Sequence, residues 1–222
     1  KKADFRMRIF NSDGSEAMMC GNGSRCVGKF VYDKGLTEKK SVTLETLSGI
    51  KILNLHVENG KVESVSVDMG KSQILTLGGN TTPFVNQPIT AKGITMNGTA
   101  VSMGNPHLVF FVENAEIFDV ASVGPAFEHH PWFENRTNVE FAQILSPAKI
   151  RMRVWERGSG ITMACGTGAC ATFAAAKECG LVYGKTTLVL DGGELQIENS
   201  STNGDVIMTG PAQTVFEGKI EI

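Results

Sequence analysis

Cys20-Gly21-Asn22-Gly23 and Cys165-Gly166-Thr167-Gly168 are two versions of one short segment. Each opens a run of good helix formers, and each run closes on a glycine and a leucine, Gly35-Leu36 and Gly180-Leu181, fifteen residues beyond its cysteine. Glycine just past a helix end takes the left-handed conformation without steric cost and so marks a stop. The spacing predicts helices over about residues 22–34 and 166–179. Upstream, Arg8-Ile9-Phe10 matches Arg153-Val154-Trp155 at equal distance from the cysteine; downstream, strand-like stretches lead to Met69-Gly70 and to Met208-Thr209-Gly210. A unit of strand, glycine-rich loop, cysteine, helix and strands that occurs twice argues for two pseudo-symmetric α+β domains.

The remaining chain is strand-rich. Runs at 5–10, 42–47, 50–57, 62–69, 100–103, 108–112, 139–144, 150–155, 187–190, 195–198 and 206–208 are predicted strands, several alternating with period two. A third, shorter helix is expected from Asp119 to about Phe127.

Across 222 residues, 41% are hydrophobic and 20% charged, the balance of a globular protein with a real core. A formal net charge of -2 gives no electrostatic reason to expect nucleic acid or an anionic membrane, so the expected partner is a small molecule. No apolar run reaches the roughly 18 residues of a membrane span, and Lys1-Lys2-Ala3-Asp4 lacks the apolar core of a signal peptide. A cytoplasmic location is the default expectation. The five cysteines are too few, and odd in number, for a disulfide scaffold. Cys26, Cys170 and Cys179, beside Val27, Ala171 and Ala174 within the helices, read as small core residues.

Cys20 and Cys165 read differently, because each falls at a helix start followed by small residues. Unpaired N–H groups and the positive end of the helix dipole bind anions there and favour thiolate over thiol. Two such seats facing each other suit an epimerase: one thiolate takes a proton from one face of a carbon while the opposite thiol supplies one to the other. Cys20 and Cys165 are then the acid–base pair, and Gly21, Asn22, Gly166 and Thr167 offer amides to a carboxylate whose charge grows in the transition state. Asn11 and Glu156 stand nine residues before the two cysteines, and Glu156 suits a substrate ammonium. Arg157 suits a second carboxylate. Gly104-Asn105-Pro106-His107 reads as a polar turn. A zinc site is not expected: Cys20 and Cys26 are too far apart for a knuckle, and no clustered histidines complete a set. The two Gly-x-Gly pieces also lack the third glycine of a dinucleotide fingerprint.

Taken together, residues 10–15, 20–23, 104–107, Asn138, 156–158 and 164–169 resemble the diaminopimelate epimerase family, in family order across nearly the whole chain. The resemblance implies interconversion of LL- and meso-2,6-diaminopimelate in lysine and peptidoglycan precursor synthesis, without pyridoxal phosphate or metal. It implies Cys20 and Cys165 as the proton-transfer pair, with His107 and Glu156 tuning or orienting them. Asn11, Asn105, Asn138 and Arg157 are implied at the distal end of the substrate. It also implies two domains, residues 1–70 with about 212–222 and residues 71–211, each a curled mixed sheet around a central helix with the site in the cleft between them. A C-terminal strand near Thr214 to Phe216 is expected to return to the first domain, and a homodimer is expected. Family members carry a preceding segment of the form His-Gly-x-Gly-Asn-Asp-Phe, not found after Lys1, so these 222 residues are expected to bind substrate weakly and to expose part of the first domain's core. Two alternatives stay open: a proline racemase or hydroxyproline epimerase, and a thiol redox or binding protein.

Overall fold

The helices after Cys20 and Cys165 have the same length and the same ends in the computed structural model, which describes residues 2–10, 14 and 16–220. At their ends Leu36 N donates to Val31 O (2.9 Å) and Leu181 N to Ala176 O (2.8 Å), while Gly35 and Gly180 take φ of 70° and 69°. Both are therefore closed by the glycine stop that the spacing predicts. The chain divides into two units, Lys1–Asp68 with Thr209–Ile222, and Met69–Met208.

The first unit contains β1 (Phe5–Arg6), α1 (Gly21–Asp33), β2 (Ser41–Thr46), β3 (Gly49–Glu58) and β4 (Lys61–Asp68). β1 lies parallel to β2, which requires a crossover, and α1 is that crossover; β2, β3 and β4 form an antiparallel meander. Alternation puts Val42 and Leu44, Leu53 and Leu55, and Val65 and Val67 on the buried face, and a register shift beside Glu63 brings Val62 onto it as well. Each such side chain contributes about 1.5–3 kcal/mol on burial. α1 settles against β3 and β4 through Gly28, where a Cβ would stand 2.9 Å from Leu55 Cδ2. Its opposite face is open. Cys26 is therefore exposed rather than core as expected, since it lies on that uncovered face near Phe30.

The second unit runs β5 (Gln73–Ile74), β6 (Gln87–Ala91), β7 (Ile94–Ser102), β8 (Pro106–Phe111), α2 (Val120–Glu128), β9 (Asn138–Ser146), β10 (Lys149–Glu156), β11 (Gly160–Thr162), α3 (Gly166–Glu178), β12 (Thr186–Leu190) and β13 (Gly193–Asn199). β14 (Val206–Pro211) carries the chain from this unit back to the first. β8 and β9 are parallel with α2 between them in sequence, and β10 and β12 are parallel with α3 between them. The order β1-α1-β2-β3 in the first unit thus recurs as β10-α3-β12-β13, with the last pair antiparallel in both. The result is a mixed-sheet α+β protein.

α3 is enclosed on nearly every side, with Gly168 to Ala176 all buried, whereas α1 buries one stripe. Phe110 stacks near Phe127 and Phe141, at centroid distances of 4.7 and 5.8 Å, in the core under α2. Among the described residues, no helix is long and apolar enough to cross a membrane.

Two predicted strands change. The first ends at Arg6 because Phe10 instead bridges Glu16 and Ala17 N bonds to Ile9 O. Residues 214–216 form no strand: after Pro211 the described chain has no ladder partner, and Val215 and Phe216 are exposed. Sequence reading missed β5, β6 and β11 and began β7 six residues late; Gly98 and Asn97 in β7 obscure its pattern.

In α2, a Cβ on Gly124 would lie 2.6 Å from Cβ and Cγ of Trp155. Gly124→Ala is expected to destabilise the fold by about 1–3 kcal/mol despite alanine's better helix propensity. The urea unfolding midpoint measures it.

Candidate active site

Cys20 and Cys165 are the N-caps of α1 and α3, with backbone angles (φ −138°, ψ 115° and φ −126°, ψ 111°) in the extended region that a cap requires. Each Sγ accepts a bond from the N–H three residues on, Gly23 and Gly168, at 3.3 Å. The first helical bonds start at Ser24 and Ala169, so the ladders themselves leave the N–H groups of Gly21, Asn22, Gly166 and Thr167 unused. Asn22 also caps a side chain, its Oδ1 accepting from Arg25 Nη1 at 3.0 Å.

The two thiols differ in surroundings. Cys20 is half-buried, while Cys165 is 6% exposed. The expectation of a lowered thiol pKa fails for Cys165: burial, then the carboxylate of Glu156, push it far above the ordinary thiol value. The Thr167 hydroxyl and Gly168 N–H favour the thiolate but are outweighed. Burial therefore favours the thiol form of Cys165.

Around Cys165 the second unit gathers most of the expected polar residues. His107, fully buried on β8, places Nδ1 2.7 Å from Glu140 Oε1 on β9 and Nε2 3.2 Å from Asn105 Oδ1. Asn105 Nδ2 donates to Thr167 Oγ1 at 3.4 Å, and Thr167 Oγ1 is 3.5 Å from Cys165 Sγ. Glu156, at the end of β10, accepts a bond from the Thr162 hydroxyl. Asn138 uses both ends of its amide within the unit, accepting from Arg157 N at 2.9 Å and donating to Pro106 O at 3.3 Å, so it braces Arg157 against the 104–107 turn. Arg157 Nη1 donates to Asn135 O at 2.9 Å. A cavity of about 410 Å³ opens here, lined by Asn105, Pro106, Trp132, Asn135, Arg136 and Arg157 among others. Cys20, Gly21 and Asn22 belong to the first unit, and Asn11 lies outside the described residues. Among the described residues, no three His, Cys, Asp or Glu side chains cluster as a metal site requires.

Sequence reading missed two carboxylates. Glu140 is fully buried, and its only signal is a charge inside the otherwise apolar run Val139 to Ala142. Glu128, at the end of α2, accepts from Trp155 Nε1 (2.6 Å), Gly158 N (2.9 Å) and Arg136 Nη1 (3.1 Å), tying the 156–158 loop to the helix. No local pattern marks it, because its partners are remote in sequence.

Desolvation pushes the Glu128 carboxyl upward, but the Trp155 and Gly158 bonds and the cations His129 and Arg136 outweigh it and leave the pKa lowered from 4.5. A depressed folded-state value contributes stability that is present above the unfolded value and lost as pH falls through the folded one. Glu128→Ala is expected to cost about 1–3 kcal/mol for each buried donor left without an acceptor. It should also flatten the acid limb of stability against pH, measured by urea unfolding at a series of pH values.

The sequence model of the family described as diaminopimelate epimerase matches residues 1–75 and 99–215. A diaminopimelate epimerase of Phocaeicola vulgatus is 57% identical over 100% of this chain and 80% of its own length. One of Methanococcus maripaludis is 52% identical over 99% of this chain and 81% of its own. Among solved structures, a PhzF-family phenazine biosynthesis protein of Bacillus anthracis aligns with a TM-score of 0.72 at 17% identity, over 99% of this chain and 81% of its own. A hydroxyproline epimerase of Agrobacterium vitis aligns at 0.67 and 16%, over 93% and 67%. These structural likenesses establish a shared fold.

Proposed function

The chain belongs to the diaminopimelate epimerase family, and from that premise we propose that it interconverts LL- and meso-2,6-diaminopimelate with Cys20 and Cys165 as its two acid–base groups. The observation that supports the cysteine pair best is the duplicated cap: two thiols, each at a helix start and each 3.3 Å from the third amide of its helix. One thiolate removes the α-proton while the other thiol protonates the opposite face, so inversion needs no rotation of the substrate. The amides of Gly21, Asn22, Gly166 and Thr167 stabilise the charge that spreads into the substrate carboxylate. No pyridoxal phosphate or metal takes part in the proposed steps.

Glu156 receives the reacting ammonium, and that positive charge offsets the carboxylate that, with burial, holds the Cys165 proton in place. Asn105 and Arg157, on the wall of the 410 Å³ cavity, recognise the distal amino-acid end together with Asn11, and Asn138 holds Arg157 for that contact. His107 orients Asn105. We place one thiol in each of two domains, residues 1–70 with about 212–222 and residues 71–211, and take the enzyme to be a cytoplasmic homodimer of lysine and peptidoglycan precursor synthesis. Light scattering on the purified protein tests the dimer.

Proline has no distal carboxylate or ammonium for Asn105 and Arg157 to hold, which sets the proline racemase reading second. Incubation of the reduced protein with LL-diaminopimelate and, separately, with L-proline, without added pyridoxal phosphate, separates the two. Formation of meso-diaminopimelate and no D-proline is expected. Racemised proline with unchanged diaminopimelate would reverse the order, and activity that requires an oxidised Cys20–Cys165 pair would favour the redox reading.

A further inference from the structure

We propose that Glu140 is a positioning residue that carries a proton and donates it to His107 Nδ1, fixing the imidazole as the Nε2–H tautomer behind Cys165. The inference rests on the reading of Cys165 as a reacting thiol. It starts from an oddity of packing: Glu140 is fully buried, one oxygen lies 2.7 Å from His107 Nδ1, and the other, Oε2, has no partner among the described residues.

Asn105 Nδ2 donates to Thr167 Oγ1, which turns Asn105 Oδ1 toward His107 Nε2. Two acceptors cannot bond each other, so Nε2 carries hydrogen. Nδ1 and Glu140 Oε1 must then share one proton between them, on nitrogen in an ion pair or on oxygen in a neutral pair. An ionised carboxylate would leave Oε2 as a charged oxygen, buried and without a donor, whereas the neutral acid leaves there only a carbonyl oxygen, which costs far less. Desolvation likewise pushes the Glu140 carboxyl above its ordinary range.

From Glu140 the contacts run to His107 (2.7 Å), Asn105 (3.2 Å), Thr167 (3.4 Å) and Cys165 (3.5 Å), each in one direction of donation as far as Thr167. The fixed tautomer therefore holds Asn105 and the first turn of α3 in register with the thiol. Gly168 closes the other side: a Cβ there would stand 2.7 Å from Glu140 Oε1, so the helix start lies directly on the carboxyl.

The test has two arms. In ¹⁵N-histidine-labelled enzyme, with His107 assigned through His107→Gln, a neutral ring protonated at Nε2 is expected; an imidazolium or an Nδ1–H ring overturns the proposal whatever the activity assays show. In kinetics, Glu140→Leu is expected to lower kcat/KM by about 10- to 100-fold. Glu140→Gln, whose amide can make the same donation to Nδ1, should recover most of that loss. A folded Glu140→Gln as impaired as Glu140→Leu would mean that the carboxylate charge is what matters and would overturn the neutral pair. Failure of the epimerase reading would appear instead as an unsubstituted protein that never inverts diaminopimelate, with the tautomer result unaffected.

Discussion

Alanine at either Cys20 or Cys165 is expected to lower kcat for epimerisation by about 10²- to 10⁴-fold, the range for losing a positioned acid or base. In the proposed site, substrate recognition rests on amides, Glu156, Asn105 and Arg157 rather than on the thiols, so KM should move far less. The effect must also be symmetric in kcat/KM: a variant cannot alter the equilibrium between the epimers, so both directions lose the same factor. What need not be symmetric is the first step alone. A variant that keeps one thiol can still detach the proton which that thiol faces, trade it with solvent and deliver a proton back to the same side, giving exchange without inversion. Steady-state rates in both directions, with circular dichroism to confirm folding, measure the effect. Parent-like turnover in either folded variant would remove that cysteine from the mechanism.

Gly168→Ala is expected to be the most damaging change to a residue with no functional group. Its Cβ would fall 2.7 Å from Glu140 Oε1 and 3.2 Å from Cys165 Sγ; both residues are buried, and Glu140 Oε1 is also engaged with His107 Nδ1. Overpacking of this kind costs about 1–3 kcal/mol of stability. A displacement of the thiol by about 1 Å can cost a further 10²-fold in rate. The repeat supplies the control: at Gly23 the new Cβ would meet Met7 Sδ at 3.4 Å and Cys20 Cβ and Sγ at 3.5 and 3.6 Å, all ordinary contacts. Gly23→Ala should therefore leave stability unchanged or raise it by up to about 1 kcal/mol through helix propensity. Urea unfolding of both variants reads the sign; equal losses at the two glycines would show that the space around them is not what distinguishes them.

That contrast shows where sequence reading succeeds and where it stops. The duplicated cysteine, the cap and the glycine stop are legible because capping and termination are local: Sγ meets an amide three residues on, and Leu36 and Leu181 close bonds five residues back. The recurring strand–helix–strand unit follows from the same spacing. The state of the Cys165 thiol is not local, since it depends on burial and on the carboxylate that β10 brings in. The helix-dipole argument treats both cysteines alike, and so misses what separates them. Glu140 escaped for the same reason, its partner His107 lying 33 residues away on another strand. Cys26 shows a third limit: helical periodicity identifies a face but not what covers it, and on α1 that face is open. Val215 and Phe216 have a strand former's composition, yet a strand also needs a neighbouring edge.

The two-base exchange between Cys20 and Cys165 is tested most directly by the isotope content of the first product. LL-diaminopimelate is converted in D₂O and stopped after a few per cent of turnover, and the meso product is analysed at the inverted carbon by mass spectrometry. Because the delivering thiol carries a solvent proton while the abstracted one stays on the opposite thiol, essentially every product molecule should contain one deuterium, and unreacted substrate far less. Product that retains the original hydrogen would mean that a single group removes and returns the proton, and would contradict the two-cysteine mechanism.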